Sequence, residues 1–248
     1  MPKNGKVIIV FGATGDIGQA LCSQFDLAGA TVIMIGRDEQ KLRSIQEDLN
    51  PKGNHQAVII NDLMNGDAII QQFRRWGGKF GKIDAIVVSL GEWQRADIDT
   101  PAAELAEIMD RAFKTHVLIP AVIATAAQQT FRKFQWAGML FYFSSHVTVR
   151  PNGWRLSRNL AYRAAKGGAE NYLAGLSGEL SEAGKSDFKI RILQPGIVNT
   201  PKNRAALIEA GSEKEAIQVE QLARWILDQL GTDAPFARQP FLTKAVLA

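Results

Sequence analysis

Cysteine is almost absent from this chain: Cys22 stands alone in 248 residues, so no internal disulfide can form. Histidine is nearly as scarce, and three scattered His with no close Cys partner make no recognisable zinc motif. No apolar run approaches the roughly 18 residues of a membrane span, and no membrane partner is expected. The opening Met1 to Gly5 leads straight into a strand pattern without a secretory leader, and the expected location is cytoplasmic. Charge of one sign is never gathered into a block. The 29 Lys and Arg exceed the 25 Asp and Glu by only four and are spread from Lys3 to Lys244, which argues against nucleic acid as a partner. The densest group, Arg150, Arg155, Arg158 and Arg163, reads either as a solvated face or as a local attractor of an anionic ligand.

What is present is an ordinary globular composition, 46% hydrophobic and 22% charged, enough to bury a sizeable core in one domain over residues 1–248. Apolar runs predict strands at 6–11, 31–35, 57–60, 83–88, 137–143 and 189–193. Helical periodicity falls between them, after Gly18 and near 38–49, 66–79, 101–130, 158–183 and 214–230, and Pro120 should bend the long middle helix. This alternation predicts an α/β fold, a doubly wound parallel sheet with helices on both faces.

Gly12-Ala13-Thr14-Gly15-Asp16-Ile17-Gly18 follows the first strand and opens the first helix, the place of a Rossmann dinucleotide turn. The glycines permit a tight turn and close approach of a pyrophosphate, although a purely structural turn has the same composition. At the end of the second strand, where an acidic residue would bind the ribose hydroxyls, stand Gly36 and Arg37. A cation after a glycine leaves room for a 2′-phosphate and offers a planar fork to hold it, so NADP is the expected cofactor. Asp38 reads as a helix N-cap, and Asp62 and Leu63 are placed to meet the adenine.

Tyr162 and Lys166 are spaced i, i+4, on one face of a helix, just downstream of a strand that ends at Ser144-Ser145. A phenol with pKa near 10 needs a stabilised anion to exchange protons at neutral pH. The ammonium supplies a stabilising charge, and a serine hydroxyl can hold a carbonyl oxygen.

Taken in order, the glycine turn, Asp62-Leu63, Phe80-Gly81-Lys82-Ile83-Asp84, the Ser-Ser strand end, Tyr162-x-x-x-Lys166 and Gln194-Pro195-Gly196-Ile197-Val198-Asn199-Thr200 resemble the short-chain dehydrogenase/reductase family. The resemblance implies a single-domain Rossmann fold with a substrate loop after residue 200. It implies that Tyr162 is the general acid/base, that Lys166 lowers its pKa and holds the nicotinamide ribose, and that Ser145 orients the carbonyl. Gly12, Thr14, Gly15, Asp16, Ile17, Gly18, Arg37, Asp62, Leu63, Gly91, Tyr162, Lys166, Pro195, Gly196, Ile197 and Thr200 would contact the cofactor. The reaction is then the interconversion of a carbonyl and an alcohol on a small molecule by an NADP-dependent oxidoreductase. A nicotinamide-retaining epimerase or dehydratase and a non-catalytic NADP-binding sensor or scaffold are the alternatives. Homodimers or tetramers are implied through the helices near 101–130 and 158–183.

Three features depart from the family pattern: Val88-Ser89-Leu90 before Gly91, the glycine spacing, and a Ser145-to-Tyr162 interval lengthened by Pro151-Asn152-Gly153-Trp154. Trp93 and Trp154 are expected to line an apolar or aromatic substrate pocket. His116 stands where the family usually has an asparagine that supports a water linking the lysine to solvent. Pro120, four residues on, has no N–H to bond the His116 carbonyl, and that freed carbonyl is expected to carry the relay.

Overall fold

The computed structural model describes residues 5–148, 160–183, 187–209, 216–230 and 238–242. Strand β1 (Val7–Phe11) is buried along its whole length because it pairs on both edges, with β2 (Thr31–Gly36) and β4 (Ala85–Val88). The sheet continues through β3 (Gln56–Ile59), β5 (Gly138–Phe143), β6 (Phe188–Pro195) and β7 (Arg238–Leu242) in the order β3-β2-β1-β4-β5-β6-β7. Every pairing is parallel. The chain reverses its direction of travel across the sheet between β1 and β4, and the crevice at such a switch point is where open α/β sheets take ligands.

Alternate residues feed two cores. Val10, Met34 and Val87 face α1 (Asp16–Leu27), α2 (Glu39–Asp48) and α8 (Val219–Gln229). Ile9, Ile33 and Ile86 face α3 (Gly66–Phe80), α5 (Ile119–Phe134) and α6 (Leu160–Ala183). Two-sided burial explains why these strands read as continuous apolar runs rather than alternating ones.

Three elements differ from the sequence expectation. The long middle helix is α4 (Ala102–Phe113), a π turn over Lys114–Leu118, and α5. Pro120 sits at the start of α5, and the Ile119 N–H reaches back to the Lys114 carbonyl. Removing one N–H from the ladder thus widens the helix instead of simply bending it. The expected substrate loop after residue 200 begins as helix α7 (Pro201–Glu209), with proline at its first position. Strand β7 carries Pro240 and two polar residues, which hide it from an apolar-run reading but suit an edge strand. Arg150, the Pro151–Trp154 insertion, Arg155 and Arg158 lie outside the described residues.

Candidate active site

The C-terminal ends of β1 to β4 enclose a cavity of about 490 Å³. Gly12 sits there with φ +86°, and a Cβ on it would meet the backbone of Ser89 and Leu90 at 3.1 Å. Ser89 draws the two strand ends together, both its N–H and its hydroxyl donating to the Phe11 carbonyl at 3.0 Å. A Cβ on Gly18 would lie 2.1 Å from the Gly12 carbonyl, so α1 can pack this closely only with glycine. Of the residues expected to touch the cofactor, Gly12, Thr14, Gly15, Arg37, Asp62, Leu63 and Gly91 line the cavity. Glu92, Lys114 and Thr115 line it too and were not foreseen.

Arg37 is exposed and, among the described residues, has neither ion-pair nor hydrogen-bond partner, whereas Asp38 caps α2 by accepting from the Lys41 N–H at 2.9 Å. The bare turn, the backbone approach that only glycine allows and an unengaged guanidinium fit a phosphorylated dinucleotide.

The remaining expected residues do other work here. Ile17 packs against the core, and Asp16 accepts from the Lys202 N–H at 3.3 Å, tying α7 to the glycine turn. The Thr200 hydroxyl accepts from the Asn203 N–H at 3.3 Å and caps α7. Pro195 and Ile197 offer carbonyls to His146 Nδ1 and the Ile217 N–H, with Gly196 between them.

Ser145, Tyr162, Lys166 and His116 come together beside Gly91. Ser145 hydrogen-bonds the Tyr162 phenol, which burial nevertheless pushes up to about 12. The Lys166 ammonium does not bond that phenol. It donates to the Phe143 carbonyl at 2.6 Å, lies 4.8 Å from the Tyr142 ring and 5.7 Å from the Tyr162 ring, and burial lowers it to about 7 against the pull of Glu170. The expected depression of the Tyr162 pKa does not appear in this arrangement, in which burial outweighs the Ser145 contact and the ammonium reaches inward to the Phe143 carbonyl.

Tyr162 is packed on two sides. Trp93 stacks on its face at 5.0 Å, and His116 meets it edge-on at 5.0 Å. His116 is fully buried, with Nε2 2.9 Å from the Glu92 carbonyl and 2.9 Å from Gln94 Oε1. A carbonyl only accepts, so Nε2 carries the proton and Nδ1 is left as a buried acceptor with no partner among the described residues. The His116 carbonyl, to which Pro120 offers no N–H, accepts from the buried Tyr142 hydroxyl at 3.1 Å, and its second lone pair is not used by that bond.

A family model for short chain dehydrogenases matches residues 6–209, and the chain belongs to that family, whose members are NAD(P)-dependent oxidoreductases. It is similar to farnesol dehydrogenase of Aedes aegypti, 24% identical over 229 residues that cover 92% of this chain and 91% of that one. It is also similar to cis-2,3-dihydrobiphenyl-2,3-diol dehydrogenase of Metapseudomonas furukawaii, 27% identical over 97% of this chain and 80% of the relative. Among solved structures, an alcohol dehydrogenase from the archaeon Thermococcus sibiricus complexed with 5-hydroxy-NADP superposes with a TM-score of 0.70 at 18% identity, covering 97% of each chain. No helix among the described residues is long and apolar enough to cross a membrane.

Burial holds His116 at about 3, below its ordinary value of 6.5, with the Lys166 charge acting in the same direction. A depressed folded value means the unfolded chain takes up the proton first, so this stability is complete above about pH 6.5 and is lost as pH falls toward about 3. Urea unfolding at about pH 7 and about pH 4.5 should show the unmodified protein losing on the order of 2 kcal/mol more than His116→Gln. Equal losses would mean that another group controls acid unfolding.

Proposed function

We propose that this chain is an NADP-dependent oxidoreductase that interconverts a carbonyl and an alcohol on a small, apolar or aromatic molecule. The observation that carries the reading is the sharing of Gly91: it lines the dinucleotide cavity, and a Cβ on it would lie 3.2 Å from the His116 ring and 3.8 Å from Lys166 Nζ. The cofactor cavity and the Ser145–Tyr162–Lys166 group are thus two sides of one place. The cofactor, when bound, supplies or takes the hydride.

The chain's own residues handle position and proton. Ser145, already bonded to the phenol, holds the substrate oxygen against Tyr162, which gives or takes the proton. Lys166 provides positive charge beneath the ring, and the His116 carbonyl carries the relay that connects Lys166 outward, with the unpartnered Nδ1 of the same residue as a further acceptor. Trp93, 53% exposed, extends the aromatic face of Tyr162 and favours substrates with a flat apolar body. Trp154, expected to share this task, lies outside the described residues. Helix α7 replaces a loop as the wall on the Thr200 side.

Selection of NADP over NAD rests on Arg37, with Lys114 as a second cation in the same cavity. Assembly with a second copy of this chain is part of the same reading, since Phe113, Leu118, Leu160 and Tyr172 leave apolar surface exposed on α4, the π turn and α6.

Three experiments test these points. Loss of NADPH absorbance with a panel of carbonyl compounds should show turnover that falls by about 10²–10⁴ in Tyr162→Phe while NADPH still binds, and unchanged turnover would remove Tyr162 from the chemistry. Arg37→Ala should weaken NADPH binding by about tenfold to a hundredfold and leave NADH nearly untouched. Equal affinity of the unmodified protein for both cofactors would overturn the choice of NADP. Light scattering at micromolar concentration should give a multiple of the 27.2 kDa chain mass, and a monomer would contradict the assembly.

A further inference from the structure

Glu170 lies one helical turn beyond Lys166 on α6 and is 3% exposed, a carboxylate with almost no water. Three side chains at the edge of the candidate site reach its carboxylate. The Ser144 hydroxyl donates to Oε1, the Thr148 hydroxyl lies 2.7 Å from the same oxygen, and Gln194 Nε2 donates to Oε2 at 2.8 Å. Gln194 also reaches the Thr148 hydroxyl at 3.0 Å, which closes the group into a ring. These three donors come from three segments. Ser144 precedes Ser145 at the end of β5, Thr148 ends the short turn His146–Thr148 and shares its single hydroxyl proton between Glu170 Oε1 and the Ser145 carbonyl at 2.9 Å, and Gln194 precedes Pro195.

We infer that Glu170 is a positioning residue of this site: a buried anion that joins the Ser145 corner to the Gln194 strand end and supplies the counter-charge for the Lys166 ammonium. The inference rests on the proposed roles of Ser145 and Lys166. Its geometric part follows from the donors, since a carboxylate accepting from Ser144, Thr148 and Gln194 fixes the backbone on either side of Ser145. Its electrostatic part follows from burial. Lys166 is 2% exposed, and the groups facing it are the Phe143 carbonyl, the rings of Tyr142 and Tyr162, and the neutral imidazole of His116. None of these carries a full negative charge, whereas Glu170 acts on Lys166 to favour the ammonium. His146 shares the turn with Thr148 and is engaged with the Pro195 carbonyl. Arg191 alternates along β6 with Ile190 and Ile192 and so faces the opposite side of the sheet, with Leu193.

The test is a melting series on the cofactor-free protein between about pH 5.5 and about pH 10. Lys166 ionises at about 7 in the folded chain and at its ordinary 10.5 when unfolded. The unfolded state therefore binds the extra proton between those values, and the melting temperature climbs with pH through that window. Cys22, whose buried thiol acts in the opposite sense above about pH 8.5, is the same in every variant. Glu170→Gln should bring the onset of the climb down by about one pH unit, Glu170→Asp should restore most of it, and Lys166→Met should abolish it. In the Lys166→Met background Glu170→Gln should shift nothing.

An onset unmoved by Glu170→Gln overturns the inference. Should Glu170→Gln fail to fold, folding of the double variant with Lys166→Met supports it, because the fault is then an unpaired buried cation, and failure of both overturns it. Turnover of NADPH with the carbonyl panel should lose its alkaline limb by the same displacement. Absence of turnover counts against the proposed activity alone and leaves the melting series to decide the role of Glu170.

Discussion

A lysine taken out of water loses several kcal/mol of hydration unless charge or partial charge replaces it. Lys166 is in that position, buried beneath the strand ends, and much of the surrounding architecture is what its burial requires. Strand β5 must stop so that the Phe143 carbonyl, freed from the ladder, points at the ammonium. Tyr142 must be aromatic on the α6 face to present a ring to the cation, and its hydroxyl then needs a buried acceptor of its own. That acceptor is the carbonyl at His116, to which Pro120, four residues on, has no N–H to offer. A proline on α5 is thereby connected to a cation on α6 through one tyrosine.

The parallel, doubly wound character of the sheet and the glycine turn were legible because two-sided burial and turn geometry act locally and leave runs of Ile and Val punctuated by Gly. Tyr162, Lys166 and Ser145 were legible because helical spacing and a strand end bring them together by short-range rules. The π turn was half legible. Pro120 announced a fault in the helix, but whether the freed carbonyl meets water or a side chain depends on Tyr142, which lies 26 residues away from His116 in sequence. Glu170 carried no signal, since a charged residue on a helix ordinarily faces solvent and nothing in the linear pattern says that this face is turned inward.

The departure at Val88-Ser89-Leu90 also finds its physical reason only in three dimensions. Ser89 is short enough to return both of its donors to the Phe11 carbonyl, and this keeps the ends of β1 and β4 close where Gly12 leaves room.

Helix α7 behaves as a lever. Its far end is pinned by Leu207, buried against the body of the protein, and its near end is anchored locally by Asn203 to Thr200 and the Val198 carbonyl, while one exposed hydrogen bond, from the Lys202 N–H to Asp16, ties it to the glycine turn. A single bond of that kind is worth about 1 kcal/mol net, less than two multiples of thermal energy at room temperature. The wall over the glycine turn is consequently tied to α1 by an interaction close to thermal energy, between residues 186 apart in sequence, while the sheet below is held by ladders of many such bonds.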